Sequence, residues 1–164
     1  MINYYIEQYG KRLYGLCMTL CASVPDADDL YQETWLKAMK KLDSYNTDKP
    51  FEPWITKIAV NTYRDMARRK KRSPVFDSFA TTAEKDSVLM NVAVSDDERK
   101  NKEIREAVDS LDKKLRMTVI LFYFNDLGEK RTAEALGIPV GTVKSRLNKA
   151  KKILKEVLRD EYGL

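Results

Sequence analysis

The sequence predicts an all-α protein: two small helical domains joined by a flexible linker, the C-terminal one containing a helix-turn-helix. Three observations lead there. Apolar residues recur at helical spacing along nearly the whole chain, with no alternation of the kind strands show. That period lapses over residues 73–97, where Ser, Thr, Asp and Ala dominate. A glycine at position 137 separates two amphipathic stretches in the C-terminal third. A length of 164 residues suits one or two domains. The divisions fall at 1–72 for the first domain, 73–100 for the linker and 101–164 for the second.

The elements follow in order. Ile2, Ile6, Tyr9, Leu13, Leu16, Leu20 and Val24 step by three or four, which predicts a helix to about Ser23. Pro25 and Asp26 restart the chain, with Asp26 as the expected N-cap. A second helix is predicted to about Leu42, burying Ala27, Tyr31, Trp35, Ala38 and Leu42. Asp43–Pro50 reads as a loop. A third helix, about Phe51 to Lys71, buries Ile55, Ile58, Thr62 and Met66, and Pro53 fits its first turn. The linker has room for a short helix around Ala83–Val92. Periodicity resumes at Ile104, Val108 and Leu111. A helix from about Lys113 to Phe124 is apolar nearly all round, which marks a core element.

Charge is laid out in blocks. Residues 1–36 carry a net −3, residues 37–72 a net +7, residues 73–112 a net −5 and residues 113–164 a net +6. Two basic blocks flanking an acidic one suit a polyanionic partner, although solvated helix surfaces would also carry such charge. Composition also argues against catalysis. The chain has no His, so it lacks the usual general base and the commonest zinc ligand. Cys17 and Cys21 are four apart on one helix face, with no further soft ligands nearby, and read as buried small hydrophobes. The carboxylates Asp28, Asp29 and Glu33 have no companion nucleophile or phosphate-binding loop. No metal, cofactor or small-molecule substrate is expected. Two reduced cysteines, the absence of a signal-peptide core and a longest apolar run of only Val119–Phe124 lead to the expectation of a cytoplasmic protein.

The sharpest local signal is Glu129 to Asn148. Ala133 is small enough for two helices to cross closely. Gly137 lies where the first must stop with a positive φ. Leu136, Ile138 and Val143 fill the wedge, and Pro139 can open the second helix. That second helix buries Val143, Leu147, Ala150, Leu154 and Val157. Its other side carries Thr142, Lys144, Ser145, Asn148, Lys149, Lys151, Lys152 and Lys155, a set able to meet base edges and phosphates in a major groove. In the first half, Lys57, Asn61, Arg64, Arg68 and Lys71 repeat at spacings of four and three, and Arg68-Arg-Lys-Lys-Arg72 ends the stripe. Such a stripe tracks a phosphate backbone. Phe51 and Trp54 read as core, whereas Tyr45 and Tyr63 can stack on unpaired bases. Asp29, Gln32, Glu33 and Leu36 share one face of the second helix and suit a partner protein with Arg anchors.

These segments resemble the extracytoplasmic-function sigma factors of bacterial RNA polymerase. Gly141-Thr-Val-Lys-Ser-Arg-Leu is similar to their promoter-recognition helix, although on its own it also fits LuxR-like regulators. Asp26-Ala-Asp-Asp-Leu-Tyr-Gln-Glu-Thr-Trp-Leu-Lys-Ala resembles the segment that docks on the clamp helices of the polymerase β′ subunit. Pro53-Trp-Ile-Thr-Lys-Ile-Ala-Val-Asn-Thr-Tyr-Arg-Asp-Met-Ala-Arg-Arg resembles the segment that opens and reads the minus-ten element. The resemblance implies core-polymerase binding by Asp29, Gln32, Glu33 and Leu36. It implies minus-ten DNA binding by Tyr45, Lys57, Asn61, Thr62, Tyr63, Arg64, Arg68, Arg69 and Arg72, and minus-thirty-five binding by Thr142, Lys144, Ser145, Arg146, Asn148 and Lys149. Implied partners are core RNA polymerase through its β′ clamp helices and β flap, promoter DNA, and an anti-sigma factor. The chain departs from the family pattern at Arg131-Thr132-Ala133, where Glu-Ile-Ala is usual, and at Gly128-Glu-Lys, where Ser-Tyr is common. A stand-alone helix-turn-helix regulator would explain only residues 101–164, and a nucleic-acid enzyme would need a catalytic constellation that these residues do not form.

Overall fold

A computed structural model describes residues 1–72 and 98–162 of the chain. The chain divides into two compact units, Met1–Val92 and Ala93–Leu164. All regular structure among the described residues is helical. The expected short helix at Ala83–Val92 lies outside them.

The N-terminal unit is three helices: α1 (Ile2–Leu20), α2 (Val24–Lys41) and α3 (Phe51–Arg72). The first helix stops earlier than its apolar period suggests. Cys21 is extended at φ −89° and ψ 151°, and Ser23, not Asp26, caps α2. The Ser23 hydroxyl accepts from the Asp26 amide at 3.3 Å, and Pro25 occupies the first turn, where a missing N–H costs nothing. The period misled because Val24 continues the apolar stripe although the backbone has already turned. A single 3₁₀ turn, Leu42–Ser44, closes α2.

Helix α2 packs against both α1 and α3. Gly10 permits the first contact: a Cβ there would lie 2.9 Å from the Tyr31 hydroxyl. Leu16, Leu30, Ile55 and Val60 are almost wholly buried between the three helices. Each such side chain contributes about 1.5–3 kcal/mol on leaving water. Thr34 and Thr62 are buried too, with hydroxyls donating to the carbonyls of Leu30 and Ile58 one turn back. At the end of the unit where α3 begins, Phe51 stacks on Tyr5 with ring centroids 4.0 Å apart and meets Tyr9, Tyr45 and Trp54 within 5.4 Å.

The C-terminal unit holds α4 (Glu98–Asp109), α5 (Lys113–Val119), α6 (Gly128–Leu136) and α7 (Val140–Tyr162). Helix α4 starts inside the stretch assigned to the linker. Asp112 caps α5, its carboxylate accepting from the Leu115 amide at 3.0 Å. The predicted Lys113–Phe124 helix is not uniform. After Val119 the chain widens into a π turn, Ile120–Phe124, and the Asn125 amide reaches back to the Ile120 carbonyl at 3.1 Å. Ile120 and Leu121 are fully buried there, so packing overrides helical regularity.

The turn between α6 and α7 has the expected chemistry. Gly137 is left-handed at φ 67°, its amide donates to Glu134 O at 3.3 Å, and the Ile138 amide donates to Ala133 O at 3.1 Å. This pair of bonds is a Schellman stop. Pro139 stands just outside α7, its carbonyl accepting from the Thr142 and Val143 amides. Val143, Leu147 and Ala150 of α7 are buried, as is Ala133.

Two substitutions in this unit should act in opposite directions. A Cβ at Gly137 meets no atom within 4 Å, so Gly137→Ala costs only left-handed backbone strain, about 1–2 kcal/mol. Thr132 is fully buried and its hydroxyl has no partner among the described residues. Thr132→Val removes that hydroxyl at nearly constant shape and should stabilise by about 1 kcal/mol. Urea unfolding of the full chain checks both. A stable Gly137→Ala variant, or a destabilised Thr132→Val, contradicts the reading of its site.

Candidate polymerase and nucleic-acid interfaces

On α2 most of the predicted partner face is open to solvent. Asp29 and Gln32 are exposed and Leu36 is 59% exposed. Met39, which the sequence reading missed, is 52% exposed and extends the same line, being three residues beyond Leu36. Glu33 lies at the edge of this face. With each residue turning the helix by roughly 100°, it sits about 40° from Asp29, on the side toward Leu30 and Lys37. The half-buried Glu33 carboxylate accepts from Arg69 at 3.0 and 3.2 Å and forms an ion pair with Lys37 at 3.3 Å. Lys37 also reaches Asp65 at 3.5 Å. Two turns from Glu33 on α2, Asp26 pairs with Lys70. As α2 advances along this ladder α3 recedes, so the two helices are antiparallel.

On α3 the basic stripe is present. Lys57, Asn61, Arg68 and Lys71 are exposed and Arg64 is half-buried. Arg68 lies 3.9 Å from Asp65, a loose surface contact. Arg69 does not belong to this stripe. It lies about a quarter-turn away, on the side of Thr62, and faces α2. Thr62, expected to meet DNA, is buried and bonded to Ile58 O, so its side chain has no route to a nucleic acid in this conformation. Tyr63 is half-buried. The Arg72 side chain lies outside the described residues, although its backbone ends α3.

Tyr45 is more enclosed than a free stacking platform. Its ring lies 4.9 Å from that of Trp54, and its hydroxyl donates to the Lys49 carbonyl. Burial pushes its phenol up, helped by the neighbouring phenols of Tyr5 and Tyr9. Tyr14 ties α1 to α2 by donating to Asp28 at 2.8 Å, and burial together with that carboxylate pushes its phenol up to about 12. Cys17 and Cys21 are buried free thiols, and burial pushes Cys17 well up, which makes it an unreactive core residue.

On α7, Lys144, Ser145, Asn148 and Lys149 are exposed, and Thr142 and Arg146 are half-buried at the start of the same surface. Ser145 donates to Thr142 O at 3.1 Å, and Lys144 lies 3.7 Å from Glu129 at the start of α6. Both contacts are solvent-exposed and easily exchanged for a ligand. No helix among the described residues is long and apolar enough to cross a membrane.

Comparison with known proteins identifies the family. The sigma-70 region 2 profile matches residues 5–73 and the sigma-70 region 4 profile matches residues 101–154. The chain is 31% identical to the ECF RNA polymerase sigma factor SigW of Bacillus subtilis, over 94% of this chain and 87% of that one. It is also 31% identical to the ECF RNA polymerase sigma-E factor of Escherichia coli, over 93% of this chain and 83% of that one. Among solved structures, the sigma factor RpoE of Bartonella quintana, in a co-crystal with the anti-sigma factor NepR, has a similar fold, with a TM-score of 0.77 at 21% identity over 96% of both chains. A region 2 followed by a region 4 is the architecture of a sigma factor. The chain belongs to the extracytoplasmic-function RNA polymerase sigma factors. It is an alternative sigma factor, which directs promoter-specific transcription initiation with core RNA polymerase.

If the exposed α2 line is the polymerase contact, the triple substitution Asp29→Ala, Gln32→Ala and Leu36→Ala should weaken core binding by about 2–5 kcal/mol while the unfolding midpoint stays unchanged. Capture of core enzyme at wild-type strength would exclude this face.

Proposed function

We propose that the two units divide the work of initiation, residues 1–72 taking core polymerase and the minus-ten strand, and residues 101–164 taking the minus-thirty-five duplex. The observation that carries this reading is the exposure of two chemically different helix faces within one small bundle. Asp29, Gln32, Leu36 and Met39 line one surface of α2, and Lys57, Asn61, Arg64, Arg68 and Lys71 line a surface of α3. The α2 surface offers acceptors around two apolar side chains and suits the β′ clamp helices, with Glu33 at its edge. The α3 surface offers cations for a backbone, and the half-buried Tyr63 and Tyr45 are the aromatics for unpaired bases, Tyr45 only on leaving its contacts with Trp54 and Lys49. Extruding a base costs a few kcal/mol, which a fitted pocket can offset.

In the second unit α7 enters the major groove. Asn148 reads a base, Lys144 and Ser145 meet base or phosphate, and Lys149, Lys151 and Lys155 contact mainly phosphate. The β flap is the polymerase partner of this unit. The protein acts by binding, performs no covalent chemistry and works in the cytoplasm. An anti-sigma factor restrains it, as the complex of the similar Bartonella quintana protein with NepR suggests.

Two experiments test the DNA assignments. Neutralising Arg64 and Arg68 should flatten the logarithmic salt dependence of holoenzyme–promoter affinity by roughly one unit per residue. Affinity lost without any change of slope would remove them from the backbone contact. Selection of minus-thirty-five variants with Asn148→Ala holoenzyme should return a relaxed preference at one base, worth about 1–3 kcal/mol. An unchanged preference would show that Asn148 reads no base.

A further inference from the structure

The sequence places five cations in a row at the end of α3, yet the fold does not leave them equivalent. Arg68 and Lys71 continue the exposed stripe. Between them, Arg69 and Lys70 are bound to α2: Arg69 by two contacts to Glu33, at 3.0 and 3.2 Å, and Lys70 by Asp26. Both acids are the more enclosed partners. The Glu33 side chain is 31% exposed against 61% for Arg69, and that of Asp26 is 20% exposed against 56% for Lys70. The acids are thus fixed on the bundle and the cations reach across to them. A cation held this way must give up its carboxylate before it can neutralise a phosphate.

We propose that Glu33 and Asp26 act as intramolecular counter-ions for Arg69 and Lys70, so that the free protein binds DNA weakly, and that capture of the α2 face by core polymerase releases Arg69 for DNA. This rests on the assignment of α2 to polymerase and α3 to DNA given above. Glu33 is where the two surfaces meet. It borders Asp29 and Leu36 on one side and holds Arg69 on the other. A polymerase cation that takes the Glu33 carboxylate breaks the Arg69 pair, and by linkage DNA that takes Arg69 frees Glu33 for polymerase, so each partner strengthens the other. The size of the effect is bounded by the pairs themselves. Exposed ion pairs are worth little singly, so each should weaken DNA binding by about 2- to 5-fold, and both together by about 5- to 20-fold. This suffices to bias a free sigma factor away from non-specific DNA, whose binding is almost wholly electrostatic.

The test is fluorescence anisotropy of the free, full-length chain on a labelled single-stranded DNA oligonucleotide of unrelated sequence, over a series of salt concentrations. The double variant Asp26→Asn/Glu33→Gln is compared with Glu7→Gln/Asp43→Asn, which removes the same charge from two exposed acids that have no ion pair among the described residues. Asp26→Asn alone is included because Asp26 lies outside the proposed polymerase contact. The expected result is a gain of about 5- to 20-fold for the first pair over the control pair, and about 2- to 5-fold for Asp26→Asn alone. The salt slope should be steeper by about 0.7 for each cation released onto the single strand. Adding Arg69→Gln/Lys70→Gln should abolish the gain. If Asp26→Asn/Glu33→Gln gains no more than the control pair while Arg69→Gln/Lys70→Gln still weakens holoenzyme binding to promoter DNA, the counter-ion idea is overturned and the DNA-binding role of α3 stands. If Arg69→Gln/Lys70→Gln changes DNA affinity in neither the free chain nor the holoenzyme, the assignment of this run to DNA is wrong, and the proposal falls with it.

Discussion

The packing of α2 between α1 and α3 is the constraint from which the N-terminal unit takes its properties. One side of α2 is committed to the core through Ala27, Leu30, Thr34 and Ala38, all with essentially no exposure. A helix so committed cannot rotate to hide its remaining residues, so Leu36 and Met39 stay in solvent at the cost of exposed apolar area. The same packing fixes α3 antiparallel beside it and turns a regular basic helix into one with a free stripe and a paired flank. Gly10 contributes to this packing, because a Cβ there would lie 2.9 Å from the Tyr31 hydroxyl and the Tyr31 side chain would have to shift.

The C-terminal unit solves a different problem. Its recognition helix must be presented at a fixed angle from a small core, and the angle is set by backbone hydrogen bonds at Gly137 and Ile138 with Val143 wedged beneath them. The π turn at Ile120–Phe124, buried at Ile120 and Leu121, packs against α6. Thr132 is the weak point of that packing. Thr118, also buried, satisfies its hydroxyl at the Lys114 carbonyl, whereas Thr132 does not find such an acceptor. Nothing in the structure explains why Thr stands there.

Much of this was legible in the sequence, because the signals were local. The Gly137 stop, the apolar period of α3 and the burial of Cys17 follow from spacing and backbone chemistry alone, and each is present. What escaped was set by neighbours. Asp26 looked like a cap, but Ser23 reaches the free amides first and leaves Asp26 to Lys70. Glu33 falls with Asp29, Gln32 and Leu36 by spacing, about 40° from Asp29, yet it stands at the edge of that face, where Arg69 and Lys37 take its carboxylate. Only the position of α3 shows that this edge has a partner. Thr62 was read both as core and as a DNA contact, and its burial favours the first. The π turn has no sequence signature, since it arises from packing around Ile120 and Leu121.

This chain confers promoter choice on core polymerase. Run-off transcription on fragmented genomic DNA, with core enzyme supplied with or without the full-length chain, tests it most directly. Discrete start sites should appear only when both are present, each preceded by a common pair of upstream elements at a fixed spacing. Transcripts whose starts are the same with and without the chain, or sequence-specific DNA binding by the chain that core enzyme does not alter, would contradict it.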